Sequence, residues 1–102
     1  MRIFLTPEAK SDINQSVAWY RERSIQASGN FLLAVNVAFT KIEMQPTAQV
    51  VVDAETGTRR ALLWKYPHRV LYLIDGDQIV VFAVMHHRRD ELAWRGRLEG
   101  RS

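Results

Sequence analysis

Arginine and histidine are the residues of this sequence best suited to chemistry, and they concentrate in its C-terminal part. Residues 1–58 hold five Lys or Arg against six Asp or Glu, whereas residues 59–102 hold nine against five, and the whole chain carries a net charge of +3. Eleven of the fourteen basic residues are arginines, whose planar guanidinium donates paired hydrogen bonds to phosphates and carboxylates. This composition predicts an anionic partner, either nucleic acid or an acidic protein.

Four arginines lie on or beside segments that read as β-strands. Arg60 and Arg69 fall in two neighbouring strands, and Arg88 and Arg89 follow a third. Because neighbouring strands of a sheet bring alternate side chains to a common face, these charges are expected to share one surface. Such a surface would bind phosphate or an acidic protein segment.

Three histidines accompany these arginines. His86 and His87 are adjacent, so on a regular strand they would point to opposite faces, and we expect no shared metal site. A proton-transfer role for either histidine stays open at this point. His68 precedes Arg69 and should face the other side of the same strand.

Several classes of site are excluded or not expected. The absence of cysteine rules out disulfides, thiolate zinc sites and cysteine nucleophiles. Walker, Rossmann and Ser-His-Asp patterns are also absent, so we expect neither a cofactor nor a metal. The chain has 102 residues, 47% of them hydrophobic, and no apolar run near the ~20 residues that span a bilayer. We expect one domain, residues 1–102, in the cytoplasm and without membrane contact.

Two amphipathic helices are predicted after a short strand at residues 2–5. Thr6 and Pro7 are a typical N-cap and first helical residue. Ser28 and Gly29 are expected to separate the first helix from the second, which must end at Pro46. A short link between two helices is typical of an antiparallel hairpin. The apolar stripes are Ala9, Ile13, Val17 and Tyr20 in the first helix and Leu32, Val35, Phe39 and Ile42 in the second.

Three strands are predicted in the second half of the chain, at residues 59–65, 70–74 and 79–85. The last is apolar on both faces, so it should lie inside the sheet with helices covering at least one face. Residues 46–58 read as a loop, although Val50-Val51-Val52 could form a short extended piece. Trp64 is expected to be at least partly buried. Asp90 is predicted to cap a final short helix. The order is therefore β-α-α-β-β-β-α, an α+β fold.

This order, together with four motifs, resembles the RelE/ParE superfamily of type II toxins over essentially the whole chain. The resemblance implies a small, mainly antiparallel sheet with the helical hairpin packed on one face, and a cognate antitoxin as partner. The motifs are Arg59-Arg60 opening a strand, Tyr66-Pro67-His68-Arg69-Val70 in the next, the apolar strand ending in His86-His87-Arg88-Arg89, and the trailing Trp94 to Arg97.

One branch of the superfamily, the RelE type, cuts mRNA on the ribosome, which requires cations around the phosphate and a group that moves a proton. Here Leu62 stands where that branch has a second lysine, and Trp94 stands where it has a tyrosine. Leucine carries no charge and an indole is a donor only, so the resemblance argues against efficient RNA cleavage. The catalytic set of an RNase would be Arg60, Arg69, Arg88, His86 and His87.

The other branch, the ParE type, poisons DNA gyrase and is closer in its motifs. Tyr66-Pro67 precedes an Arg/Val/Tyr strand, and the last strand ends in His-x-Arg, although His68 replaces a more usual tyrosine. We therefore expect a gyrase-poisoning toxin, with an mRNA-cleaving RNase or a non-toxic relative that only binds the antitoxin as alternatives. The expected target-binding residues are Arg60, Arg69, His87, Arg88, Arg89, Trp94 and Arg97.

Overall fold

The computed structural model describes residues 1–88 and 91–99, without the side chain of Glu91. None of the helices in this part is long and apolar enough to cross a membrane. The strands are β1 Arg2–Leu5, β2 Val50–Asp53, β3 Thr58–Leu62, β4 His68–Asp75 and β5 Gln78–His86, and the helices are α1 Pro7–Arg21, α2 Ile25–Met44 and α3 Glu91–Glu99.

The five strands form one sheet in the order β1-β5-β4-β3-β2, in which β1 runs parallel to β5 and the other pairs are antiparallel. The predicted α+β class is confirmed, and so is the internal position of the apolar strand β5. Of the two interpretations of residues 46–58, the extended piece is correct for β2, where Val50 pairs with Arg60 and Val51 with Arg59, and the loop is wrong there. This strand is at the edge of the sheet and pairs with β3, which follows it closely in sequence. Its three valines favour a strand because β-branched residues fit the pleated surface.

The two helices of the hairpin begin at side-chain caps. The hydroxyl of Thr6 accepts a hydrogen bond from the backbone N–H of Ala9 at 3.1 Å, as predicted for the start of α1. Ser24 caps α2 in the same way, so the expected break at Ser28 and Gly29 is wrong, and both residues lie inside this helix. The buried stripe of α2 is consequently Phe31, Val35, Ala38 and Ile42, while Leu32 is exposed.

Strand β5 contributes side chains to an apolar core on each face of the sheet, and a β-bulge changes which of its residues face which core. Leu71 pairs with Ala83 and Tyr72 with Val81, which leaves Phe82 as the extra residue. Val81 and Val84 pack in the core under the helical hairpin. Phe82, Ala83 and Met85 pack in the second core, on the face that α3 covers. The hairpin therefore lies on one face of the sheet, as expected, and α3 lies on the other.

Helix α3 is held to the rest of the molecule by a buried indole and by the ion pairs of two arginines. Trp94 is 1% exposed and packs against Phe82, with ring centroids 6.0 Å apart. Arg95 bonds to Asp53 of β2 at 2.7 Å, and Arg97 bonds to Asp12 of α1 at 2.6 Å. The predicted cap of this helix, Asp90, lies outside the described residues.

Candidate functional site

Arg60 and Arg69 lie on the same face of the sheet. Arg60 pairs with Leu71, and Leu62 pairs with Arg69. Since directly paired residues share a face and alternate residues of one strand do so too, the two arginines occupy diagonal positions, with Cα atoms roughly 7–8 Å apart. Leu71 packs with α3, so this arginine face, defined by Arg60 and Arg69, is on the α3 side of the sheet.

The two arginines carry charge that no described carboxylate neutralises. Within residues 1–88 and 91–99 neither takes part in an ion pair, and the Nε of Arg69 is buried with no hydrogen-bond partner. Leu62, 59% exposed, stands on the same face. The surface thus combines guanidinium groups with an apolar side chain, an arrangement that suits a carboxylate or phosphate presented beside an apolar group.

Arg59, the neighbour of Arg60, has a structural role instead. One of its terminal nitrogens donates hydrogen bonds to the carbonyls of Thr47 and Gln49, at 2.8 and 2.7 Å. These bonds tie β3 to the segment that leads from α2 into β2. Of two adjacent arginines, therefore, one holds the fold together and the other leaves its charge available at the surface.

His87 and Arg88 lie at the end of the sheet where β4 begins. The backbone N–H of His87 donates to the carbonyl of Pro67 at 2.8 Å, so the β4–β5 pairing continues one residue beyond β5. The Nδ1 of His87 also lies 3.1 Å from that carbonyl. Arg88 is exposed and forms no ion pair with a described residue. Arg89, also predicted to bind the target, lies outside the described residues.

Trp94 and Arg97 do not occupy the predicted surface. Trp94 is buried against the sheet, so its prediction as a target contact is wrong. The Arg97 side chain is 19% exposed, and its terminal nitrogens donate to both carboxylate oxygens of Asp12, at 2.6 and 3.0 Å, and to the carbonyl of Phe82 at 3.0 Å. These contacts use the guanidinium to fix α3, which corrects its prediction as a binding residue.

The histidines are arranged differently from the expectation for a regular strand. Because β5 ends at His86, alternation no longer applies, and the rings of His86 and His87 stack with centroids 4.7 Å apart and planes 23° apart. The prediction that they point to opposite faces is wrong. His68 does face away from Arg69, toward Phe31 at 5.0 Å. Among the described residues, no three His, Cys, Asp or Glu side chains are grouped to hold a metal ion.

His68 and His86 therefore lie on the opposite side of the sheet from the arginine face. His86 pairs with His68 in the strand register and lies 6.0 Å from it, ring to ring, on the hairpin side. Arg69 pairs with Met85, which packs with α3. The sheet therefore separates Arg60 and Arg69 from His68 and His86, so His86 cannot serve a phosphate bound at Arg69, whereas Arg88 lies beside His86.

Burial, and then the nearby His86, hold the pKa of His68 below its ordinary value. In the unfolded chain the pKa of His68 is near 6.5, so at mildly acidic pH the unfolded chain binds more protons than the folded chain. We expect the free energy of unfolding to be undiminished above about pH 6.5 and to fall as the pH drops toward the folded-state pKa. Urea unfolding of the wild type between about pH 7.5 and about pH 5.5 measures this effect.

The variant His68→Phe should reduce this pH dependence to the part due to His86, whose pKa burial also lowers, and the exposed-site control His87→Gln should retain the part due to His68. An equal slope in wild type and His68→Phe would contradict the assignment. Asp53 also titrates abnormally, because a hydrogen bond from the Thr56 hydroxyl, above all, lowers its pKa. Its contribution is lost only below about pH 3.9, so the two effects occupy separate pH ranges.

Comparison with known proteins gives a family and a fold. The family described as "ParE toxin of type II toxin-antitoxin system, parDE" matches residues 3–91. Among solved structures, a chain titled "Chromosomal ParDE TA system from P. aeruginosa" is 18% identical, with a TM-score of 0.64, and the match covers 84% of this chain and 95% of that one. At this identity the likeness concerns the fold. No curated protein matches the sequence significantly.

Proposed function

Because the chain belongs to the ParE toxin family of type II toxin-antitoxin systems, we propose that it inhibits DNA gyrase in the cytoplasm until a cognate antitoxin neutralises it. Its family membership confirms the resemblance found in the sequence. The observation that supports this choice of target is the arginine face, where Arg60 and Arg69 have no ion-pair partner within residues 1–88 and 91–99 and face away from His68 and His86.

This arrangement favours binding over RNA cleavage. Cleavage through the 2′-hydroxyl needs a proton acceptor near the attacking oxygen as well as cations near the phosphate. Arg69 supplies a cation, but His68 and His86 face the hairpin on the opposite side of the sheet. Leu62 and the buried Trp94 supply no acid or base. Guanidinium groups alone are well suited to hold an anionic surface of a target.

The function is tested by two assays with the purified protein. We expect it to stop the supercoiling of relaxed plasmid by gyrase while RNA in a translating extract stays intact. Fragmented RNA with normal supercoiling would instead favour the mRNA-cleaving RNase. Normal results in both assays would favour a non-toxic relative that retains antitoxin binding.

An apolar surface on α2 supports neutralisation by a protein partner. Leu33 and Val37 are exposed on this helix, and Trp64, in the turn after β3, is 76% exposed, contrary to its predicted burial. The predicted strand 59–65 includes Trp64, but β3 ends at Leu62, so the indole lies beyond the sheet. Together with Tyr66 and Lys65 these residues line a cavity of about 520 Å³. Exposed apolar patches of this kind typically mark interaction sites, and an amphipathic segment with an acidic flank would fit this one.

The variant Val37→Asp should weaken antitoxin binding at least about tenfold, because the new carboxylate would be buried against apolar groups of the partner. Calorimetric titration of the antitoxin measures the change. Ile25→Asp is the matched control, since Ile25 is also an exposed apolar residue of α2 but does not line the cavity. Equal weakening by both variants, or by neither, would contradict this location. Both variants should still inhibit gyrase.

A further inference from the structure

A second cavity lies between α1 and the end of the sheet, on the opposite face from the arginines. It has a volume of about 320 Å³, and neither the target surface nor the apolar face of α2 includes it. We call it the histidine pocket. Its lining residues are Ser16, Trp19, Tyr20, Pro67, His68 and His86.

The walls of the histidine pocket are rings held in place by packing. Tyr20 stacks on Phe31 with centroids 5.2 Å apart and meets the edge of Tyr66 at 5.5 Å. Trp19 is 51% exposed, and the Arg23 guanidinium covers its ring at 3.2 Å from the centroid. Rings that are already fixed lose little conformational freedom when another ring packs against them, which favours an aromatic ligand.

The histidine pocket also has polar groups that are not fully used. The Ser16 hydroxyl lies 3.5 Å from Nε2 of His68, a long contact. The Nδ1 of His68 is buried and has no hydrogen-bond partner among the described residues. Burial holds the pKa of His68 below the ordinary value, so at neutral pH its imidazole keeps one nitrogen that accepts a hydrogen bond, whereas Nδ1 of His86 already accepts one from the backbone N–H of Arg88. A ligand with a hydroxyl group at its tip could donate a hydrogen bond to Ser16 or to His68.

The rim of the histidine pocket is cationic. Arg88 lies two residues after His86, and the backbone N–H of Arg88 donates a hydrogen bond to Nδ1 of His86 at 3.1 Å. Arg23 is at the Trp19 side, and both arginine side chains are exposed. Asp12, in an adjoining cavity, is neutralised by Arg97. Negative charge on the ligand beside its ring would therefore be stabilised here.

We propose that the histidine pocket binds a tyrosine side chain of an acidic protein segment. The phenol ring packs against Trp19 and Tyr20, its hydroxyl bonds to Ser16 or His68, and carboxylates on either side of the tyrosine meet Arg23 and Arg88. A volume of 320 Å³ is near the lower end of the roughly 300–1,000 Å³ typical of ligand sites, which suits one side chain. Two rim arginines are few for a nucleic acid strand, whose binding depends on many phosphate contacts.

The proposal is tested by NMR titration of the full chain with three peptides that share acidic flanks. They are acetyl-Glu-Asp-Tyr-Glu-Asp-amide and the same peptide with Phe or Ala in the central position. The tyrosine peptide should shift the indole signal of Trp19 and the imidazole signals of His68 and His86. The phenylalanine peptide should bind about fivefold more weakly, for the lost hydrogen bond, and the alanine peptide at least about tenfold more weakly.

Variants of the protein provide the matched controls. Trp19→Ala should abolish the tyrosine-specific shifts, whereas Trp64→Ala, which removes another exposed indole, should leave them unchanged. Arg88→Gln should weaken the tyrosine peptide about threefold and reduce the salt dependence of its binding.

Three results would overturn the proposal. They are the absence of shifts at the histidine pocket with the tyrosine peptide, equal binding of the alanine peptide, and stronger binding of a short oligothymidylate at the same signals. The readout is binding to the free protein, so it stands apart from the outcome of the gyrase assay.

Discussion

Replacing Asp12 by alanine should lower the free energy of unfolding by about 3 kcal/mol. Removal of one member of a buried ion pair costs roughly 3–5 kcal/mol because the other charge is left without a partner. We take the lower end since the side chains of Asp12 and Arg97 keep 11% and 19% exposure. Against the roughly 5–15 kcal/mol that holds a domain folded, this is a large loss.

The effect is large because Asp12 completes three connections. Its carboxylate accepts hydrogen bonds from both terminal nitrogens of Arg97, at 2.6 and 3.0 Å, and from the backbone N–H of Val84 at 2.9 Å. The pairing of β1 with β5 reaches only as far as Val81. Beyond that point, Asp12 and Arg97 bond to the β5 backbone in place of a strand, and they join α1, β5 and α3.

Thermal and urea unfolding measure this prediction, and the expected fall in Tm is roughly 10–20 °C for a domain of this size. Asp77→Ala, in the exposed turn between β4 and β5, is the control and should change stability little. A change below about 1 kcal/mol in Asp12→Ala would show that the pair contributes little. A double-mutant cycle with Arg97→Met would isolate the pairwise part.

Arg60→Ala and Arg69→Ala should each reduce gyrase inhibition about 30-fold while the protein stays folded. Central interface arginines typically cost 2 kcal/mol or more when truncated, and about 2 kcal/mol corresponds to that factor. The side chains share the arginine face and have no ion-pair partner among the described residues, so little internal bonding is lost with them. The concentration of protein that halves supercoiling is the measurement.

Arg21→Ala is the control for this pair, because Arg21 is an exposed arginine at the end of α1, away from the arginine face. It should inhibit as the wild type does. If both Arg60→Ala and Arg69→Ala inhibited gyrase normally, the arginine face would not be the target surface. Unfolding curves for all three variants separate a binding effect from a loss of structure.

The sequence predicts the fold well where its signals are local. Thr6 with Pro7 marks the start of α1, and the unbroken apolar run of β5 marks an internal strand. The start of α2 is missed because the cap is Ser24, whereas Ser28 and Gly29, which predict a break by residue type, lie inside the helix. The strand at Val50–Asp53 is left undecided between an extended piece and a loop, because only its pairing with β3 distinguishes the two.

The candidate site is predicted less completely than the fold. The predictions that fail concern residues whose contacts come from distant parts of the chain. Arg60 and Arg69 share a face because alternation within two adjacent strands is a local property. The partner of Arg97 is Asp12, on a helix at the other end of the sequence, and no spacing rule connects them. Trp94 is buried because α3 covers one face of the sheet, which depends on those same long-range contacts.

The bond between Asp12 and Arg97 joins positions 85 residues apart, and β1 pairs only with β5. During translation, at roughly 5–20 residues per second, the first strand and helix therefore wait roughly 4–17 s for the segments that complete them. A nascent chain still held in the ribosome exit tunnel cannot close this contact. Until Arg97 has left the tunnel, the first strand and helix lack this contact, and an antitoxin made nearby has an interval in which to meet the unfinished protein.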